Sequence, residues 1–159
     1  MTTLEPGQPA PAFDLLDADD HPCSLASFAP GAVIVYFYPA ALTPGCTIEA
    51  IDFSARLDDF AAAGYRVVGI SPDKPEKLAR FVTKHELSVT LLSDPDRGVI
   101  EAFGAWGSKT LYGKAMQGVI RSTFVVDVDD AGAGTVRLAQ YNVKASGHVG
   151  RLAAELGIG

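Results

Sequence analysis

The chain has 159 residues, a formal net charge of −6, 48% hydrophobic and 20% charged residues. That length suits a single domain, 1–159, that buries roughly 68–70% of its unfolded surface, and the apolar content excludes disorder. The acidic balance argues against nucleic-acid binding, which wants a basic face. Two cysteines exclude a secreted disulfide framework. The start Met1-Thr2-Thr3-Leu4-Glu5 lacks a basic stretch followed by an apolar run, so no signal peptide is expected. The densest apolar run, Val33 to Tyr38, stops at Pro39, far short of the roughly 18 residues of a membrane span. The expectation is a soluble protein of a reducing compartment, the cytoplasm, without membrane contact.

In chain order, Ala12 to Leu25 reads as a small hairpin whose polar turn is Asp17 to His21. Val33 to Tyr38 follows as a strand apolar on both faces, as helices on two sides would require. Pro39 ends it, a helix begins near Thr43-Pro44, and Gly64 is placed as its C-terminal cap. Tyr65 to Ile70 is a second buried strand. Ser71 to Glu76 starts a helix that presents Leu78, Phe81 and Val82 on one side. Val89 to Leu92 is a short strand, and Asp94-Pro95 is expected to start a helix through Phe103. A glycine-rich segment (Gly104, Gly107, Gly113, Gly118) reads as loop. Strands Ser122 to Val128 and Val136 to Tyr141 and a helix over Gly147 to Leu156 close the chain. Strands alternating with helices and ending in an antiparallel pair predict a three-layer α/β sandwich with a mixed central sheet and an N-terminal β-hairpin extension.

The stretch Tyr38-Pro39-Ala40-Ala41-Leu42-Thr43-Pro44-Gly45-Cys46 lies where open α/β sheets place ligands, beyond a strand's carboxyl end. Thr43 is a suitable N-cap and Pro44 a suitable first helical residue. Gly45 and Cys46 then fall in the first turn, whose N–H groups have no intrahelical partner, at the positive end of the helix dipole. That position lowers a thiol's pKa. A fall from about 8.5 to about 6 corresponds to about 3.4 kcal/mol, more than one helix end supplies, so a second cation is expected. Taken alone, a cysteine is more often buried filler than a nucleophile.

Other chemistry is poorly represented. His21, His85 and His148 stand more than sixty residues apart, so no metal-ligand spacing appears among them, and each reads as a surface or capping residue. No phosphate-binding glycine loop is present. No metal or other cofactor is expected. Trp106, Leu111, Tyr112 and Met116 precede Arg121 in the glycine-rich stretch, as lining for a pocket or partner surface or as ordinary loop packing.

Pro39, Thr43 and Cys46 stand in the spacing P-x-x-x-T-x-x-C, which resembles the active-site loop of the peroxiredoxins. The wording Tyr-Pro-Ala-Ala-Leu-Thr-Pro-Gly-Cys-Thr is similar to that of the bacterioferritin comigratory protein branch, also called PrxQ. Val68 to Asp73, Leu91 to Asp94 and Arg121 to Asp127 resemble further segments of that branch, so the likeness runs from about Gly7 to Leu156. The resemblance implies a thioredoxin-like fold, commonly monomeric, that reduces hydrogen peroxide and organic hydroperoxides. It implies that Cys46 is the attacking cysteine and becomes a sulfenic acid. Thr43 would direct its hydroxyl at the thiolate and the peroxide, Pro39 would shield the thiolate, and Arg121 would hold both. Gly45 would lend a first-turn N–H, and Glu49, three positions after Cys46, would orient the arginine or serve as an ordinary first-turn acid.

The chain departs from that branch in its second thiol. A resolving cysteine often stands five residues after the first, where this chain has Ile51, or on the next helix, where Lys74 to Leu87 contains none. The remaining thiol, Cys23 in the hairpin, reads as a small apolar residue rather than a resolving partner. A one-cysteine route follows as the expectation, with thioredoxin, a glutaredoxin-like protein or a small thiol as reductant. Two alternatives stand beside it. A thiol–disulfide oxidoreductase wants C-x-x-C, and Thr43 occupies the first cysteine's place. A silent thioredoxin-like binding domain would leave Cys46 unoxidised by peroxide.

Overall fold

The computed structural model describes residues 3–159; Met1 and Thr2 of the expected 1–159 domain, and the side chain of Leu111, lie outside the described residues. The N-terminal hairpin pairs Asp14–Asp17 (β1) with Pro22–Ser24 (β2), and one 3-10 turn, Leu25–Phe28, leads away from it. Gly31–Phe37 (β3) carries the β-branched and aromatic run, and Pro44–Ala62 (α1) follows. Next come Tyr65–Ser71 (β4), Pro75–His85 (α2), Thr90–Ser93 (β5) and Gly98–Ala102 (α3). Trp106–Leu111 (β6) and Lys114–Val119 (β7) form a separate two-stranded sheet. Ser122–Val128 (β8), Gly134–Tyr141 (β9) and His148–Glu155 (α4) complete the chain.

The main sheet has seven strands in the order β2-β1-β5-β4-β3-β8-β9. Strands β3, β4 and β5 are parallel, and β8 runs antiparallel beside β3. Alternation along β3 divides the core in two. Ile34, Tyr36 and Tyr38 join Phe53 and Phe60 of α1, Leu78 and Phe81 of α2, and Val149 and Leu152 of α4 on one face. Val33, Val35 and Phe37 join Ile100 of α3, Phe103 and Phe124 on the other. The expected three layers are therefore present, with a mixed central sheet.

Tyr36 connects this packing to the chemistry. Its ring stacks on Phe53 of α1 at 4.5 Å and lies directly over Gly69 of β4, where a Cβ would stand 2.6 Å from the ring. Glycine is needed there because the aromatic ring occupies the side chain's place.

Two expectations need correction. The helix expected from Asp94-Pro95 through Phe103 is only Gly98–Ala102, because Arg97 is left-handed (φ 63°) and the Asp94 carboxylate accepts the Ile100 N–H at 2.8 Å instead of capping a longer helix. The glycine-rich stretch is a β-hairpin, not a loop. Tyr112 and Gly113 both take positive φ, 53° and 77°, as a two-residue turn matched to strand twist requires. Gly118 has no side chain because that of Lys109 lies where its Cβ would be.

Candidate active site

The loop between β3 and α1 is held by backbone and by one carboxylate. The Tyr38 N–H donates to the Ile70 carbonyl at 3.1 Å, continuing the ladder past Phe37. The Ala41 N–H donates to Asp73 Oδ2 at 2.7 Å, and the same oxygen accepts the Ser71 hydroxyl at 2.9 Å. Lys77 Nζ lies 3.0 Å from the other Asp73 oxygen. Asp73 therefore ties the loop to the end of β4, a role that the sequence reading did not assign to it. Leu42 takes a left-handed conformation (φ 67°), and the chain then enters α1 at Pro44.

Thr43 is the N-cap by backbone position but not by side chain. Its hydroxyl donates to the Ala40 carbonyl at 2.7 Å, while its own carbonyl accepts the Thr47 N–H at 2.9 Å and the Thr47 hydroxyl at 2.7 Å. The expected side-chain cap is thus replaced by a bond within the loop. With no side chain capping the helix, its first-turn N–H groups stay open to an anion.

Cys46 sits in that turn, buried with 2% exposure. Arg121, just ahead of β8, reaches it from the strand next to β3: Nη2 donates to Cys46 Sγ at 3.3 Å and Nη1 to Glu49 Oε1 at 2.6 Å. The arginine backbone is fixed by the Val143 N–H, which donates to the Arg121 carbonyl at 3.0 Å. A Cβ on Gly45 would stand 3.4 Å from Nη2, so the glycine lets the guanidinium lie against the helix start. Pro39 and Arg121 line a surface depression of about 260 Å³, together with Lys109 and Asn142. The second cation expected for the helix start is present.

Behind the guanidinium lies a buried polar group. Glu49 is fully buried, and burial pushes its carboxyl up to about 7, with Arg121 opposing and Asp52 adding to the rise. Its second oxygen, Oε2, has no hydrogen-bond partner among the described residues. His148 is not on the surface as its sequence context suggested. It is 2% exposed, with Nε2 2.8 Å from Thr123 Oγ1 and 3.9 Å from Glu49 Oε2. Burial, then Arg151 and Arg121, lower its pKa to about 4, so the ring is neutral near pH 7. Burial draws the Arg121 guanidinium down, but Glu49 and Cys46 more than offset this, and the net shift is upward.

Cys23 is not part of this assembly. It lies on β2, four strands from β3, a lateral distance of roughly 19 Å at the usual strand spacing. It also packs on the opposite face of the sheet from Cys46. Both thiols are free. Ile51 faces outward from α1, 42% exposed. In the hairpin turn, Asp17, Asp19 and His21 approach one another, but Asp17 Oδ1 is occupied by the N–H groups of Asp19 and His21. Tyr112 and Met116 are exposed on the β6–β7 hairpin. Among the described residues no helix is long and apolar enough to cross a membrane.

Comparison with known proteins agrees with this geometry. The AhpC/TSA family model matches residues 6–142. A putative peroxiredoxin of Mycobacterium tuberculosis is 59% identical over 157 residues, covering 99% of this chain and 98% of that protein. The peroxiredoxin Bcp of Escherichia coli K12 is 47% identical over 81% of this chain and 83% of its own length. A structure of the Xanthomonas campestris bacterioferritin comigratory protein, described in terms of its alkyl peroxide reduction activity, superposes with a TM-score of 0.82. It shares 33% identity and covers 91% of this chain and 90% of its own. With its thioredoxin-like sheet and its cysteine at an open helix start under an arginine, the chain belongs to the AhpC/TSA family and is a peroxiredoxin of the bacterioferritin comigratory protein (PrxQ) type.

Proposed function

We propose that this thiol-dependent peroxidase reduces hydrogen peroxide and organic hydroperoxides at Cys46 by a one-cysteine route. The observation that carries the reading is the Arg121 Nη2 donor 3.3 Å from Cys46 Sγ at a helix start without a side-chain cap. The anionic sulfur attacks one peroxide oxygen, the O–O bond breaks, and the sulfur becomes a sulfenic acid as an alkoxide or hydroxide leaves and takes a proton. Negative charge grows on the leaving oxygen, where Arg121 and the open N–H groups of Gly45 and Cys46 can meet it without reorganising. This activation of the peroxide matters because a less basic thiolate is also a weaker nucleophile.

Thr43 and Pro39 take supporting roles in this reading. The Thr43 hydroxyl keeps lone pairs with which to accept a hydrogen bond from a hydroperoxide while its own proton is held by Ala40. Pro39 offers a face without an N–H beside the depression next to Arg121. Glu49 orients the guanidinium through its 2.6 Å bond.

The sulfenic acid is then attacked by an external thiol, giving a mixed disulfide and water. A second thiol of the reductant releases Cys46. Thioredoxin, a glutaredoxin-like protein or a small thiol would serve, in a reducing compartment such as the cytoplasm, with the protein acting as a monomer of one domain. The distance and opposite facing of Cys23 support an external reductant, because a disulfide needs Cα atoms within about 7 Å. A C-x-x-C exchange reaction lacks its first thiol, since Thr43 stands there.

The test is an NADPH-coupled assay with thioredoxin, glutaredoxin or a small thiol, run on the wild type and on Cys46→Ser. The reading requires turnover with at least one reductant and none in the variant. Turnover that survives Cys46→Ser overturns it, and so does mass analysis showing an intramolecular Cys23–Cys46 disulfide after one equivalent of peroxide.

A further inference from the structure

One guanidinium faces two acids. Arg121 gives one N–H to Cys46 Sγ and another to Glu49 Oε1, at 3.3 and 2.6 Å. If both acids were ionised, one positive charge would serve two buried negative ones. The unpartnered Oε2 bears on this choice, because a fully buried anionic oxygen with no donor costs far more than a buried O–H.

Among the described residues, the groups packed around that carboxyl offer no second cation in contact. His148 on α4 presents a neutral ring whose nitrogen is engaged with Thr123 and lies 3.9 Å from Oε2, beyond hydrogen-bond reach. Asp52 on α1 adds a like charge. Tyr36 and Tyr38 on the β3 side are buried with their hydroxyls unpartnered among the described residues, and burial raises the pKa of each. Arg151 acts on the His148 ring from within α4. Arg121 is therefore the cation that both acids share.

Resting on the peroxidase reading above, we propose that Glu49 stays a carboxylic acid while Cys46 is a thiolate and ionises when the sulfur is oxidised, so that its proton offsets the one taken by the leaving oxygen. The balance closes: Cys46–S⁻ plus ROOH plus Glu49–COOH gives Cys46–SOH plus ROH plus Glu49–COO⁻. The S–O bond forms, the O–O bond breaks, sulfur loses two electrons and the peroxide gains them. Arg121 keeps one anionic partner throughout, first the sulfur and then the carboxylate. Glu49 acts from behind Arg121 and does not touch the sulfur, so it is a positioning residue that stores a proton.

Infrared difference spectroscopy on the full chain, before and after one equivalent of hydrogen peroxide at pH 6, where the Glu49 carboxyl is mostly protonated, reads this directly. The expected result is the loss of one buried carboxylic-acid C=O band per Cys46 oxidised, matched by a gain in carboxylate absorbance. The lost band shifts when glutamate is ¹³C-labelled and is missing in Glu49→Gln. In that variant Cys46 oxidation slows roughly 10²-fold, at the lower end of what proton donors contribute. The wild-type spectrum alone decides the matter, so the test survives a variant that folds poorly. Sulfenic acid formed at Cys46 with no loss of the acid band overturns the proton store and leaves the peroxidase intact. Failure to form sulfenic acid at all overturns both.

Discussion

Replacing Arg121 with Met removes the one cation that, among the described residues, is bonded to the fully buried Glu49 carboxyl, while keeping an apolar stem of similar length. The Glu49 carboxyl is already raised from 4.5 to about 7, with burial the largest cause and Arg121 the main influence holding it down. Without Arg121 it rises further. An acid whose folded-state pKa lies above its unfolded value binds a proton on folding, so its contribution is present below about 4.5 and is lost as pH climbs through the folded value. In the wild type that loss ends near pH 7. In the variant it continues upward, so the stability difference between the two proteins is smallest near pH 6 and widens above pH 7. The widening is at most about 1.4 kcal/mol per pH unit, or about 2.7 kcal/mol between pH 7 and 9. Urea unfolding at pH 6, 7, 8 and 9, with Cys46→Ser in both proteins so that the comparison isolates Glu49, measures the effect. A difference that stays flat from pH 6 to 9 refutes the coupling of Arg121 to the Glu49 proton. With Cys46 intact, the same substitution is expected to slow peroxide attack by about 10²–10³-fold, the usual loss when a donor to a developing oxyanion is removed.

Other outcomes follow from the same packing. His148, lowered from 6.5 to about 4, contributes stability that is lost as pH falls from 6.5, and Glu49 contributes stability lost as pH rises from 4.5. The two nearly cancel between those values in the wild type. In His148→Gln only the Glu49 contribution remains, so stability from urea titrations falls by about 2 kcal/mol between pH 4.5 and 6.5; a profile as level as that of the wild type contradicts the assignment. Gly69→Ala drives a methyl to within 2.6 Å of the Tyr36 ring and is expected to cost about 1–3 kcal/mol of unfolding free energy, whereas an unchanged midpoint would show that the ring moves freely. Cys23→Ser is expected to leave steady-state peroxide turnover within twofold of the wild type, and a larger loss would give that thiol a part in the cycle.

Much of this molecule was legible in its residues. The run Val33 to Tyr38 announced a strand buried on both faces, and Pro44 after Thr43 announced the helix that presents Cys46. The arginine is legible through the likeness of the segment beginning Arg121-Ser122-Thr123-Phe124, because no spacing connects residues 46 and 121. The β6–β7 hairpin is hidden in the residues because glycines weaken a strand pattern, and the telling feature is local: Tyr112-Gly113 at the tip, where two positive φ values are required. The shortness of α3 is hidden because Asp94 looks like a cap when its carboxylate instead crosses to Ile100. His148 looked peripheral because its burial is created by Thr123, Phe53 and Glu49, all far away in sequence. The loop anchor Asp73 was hidden for a similar reason, since its bond to Ala41 spans 32 residues.

The most direct measurement adds one equivalent of hydrogen peroxide to the fully reduced protein, traps sulfenic acid chemically and maps the adduct by mass spectrometry. The account predicts one trapped oxygen-derived adduct per chain, located on Cys46, with Cys23 still a free thiol. A Cys46 that remains reduced while peroxide persists contradicts it.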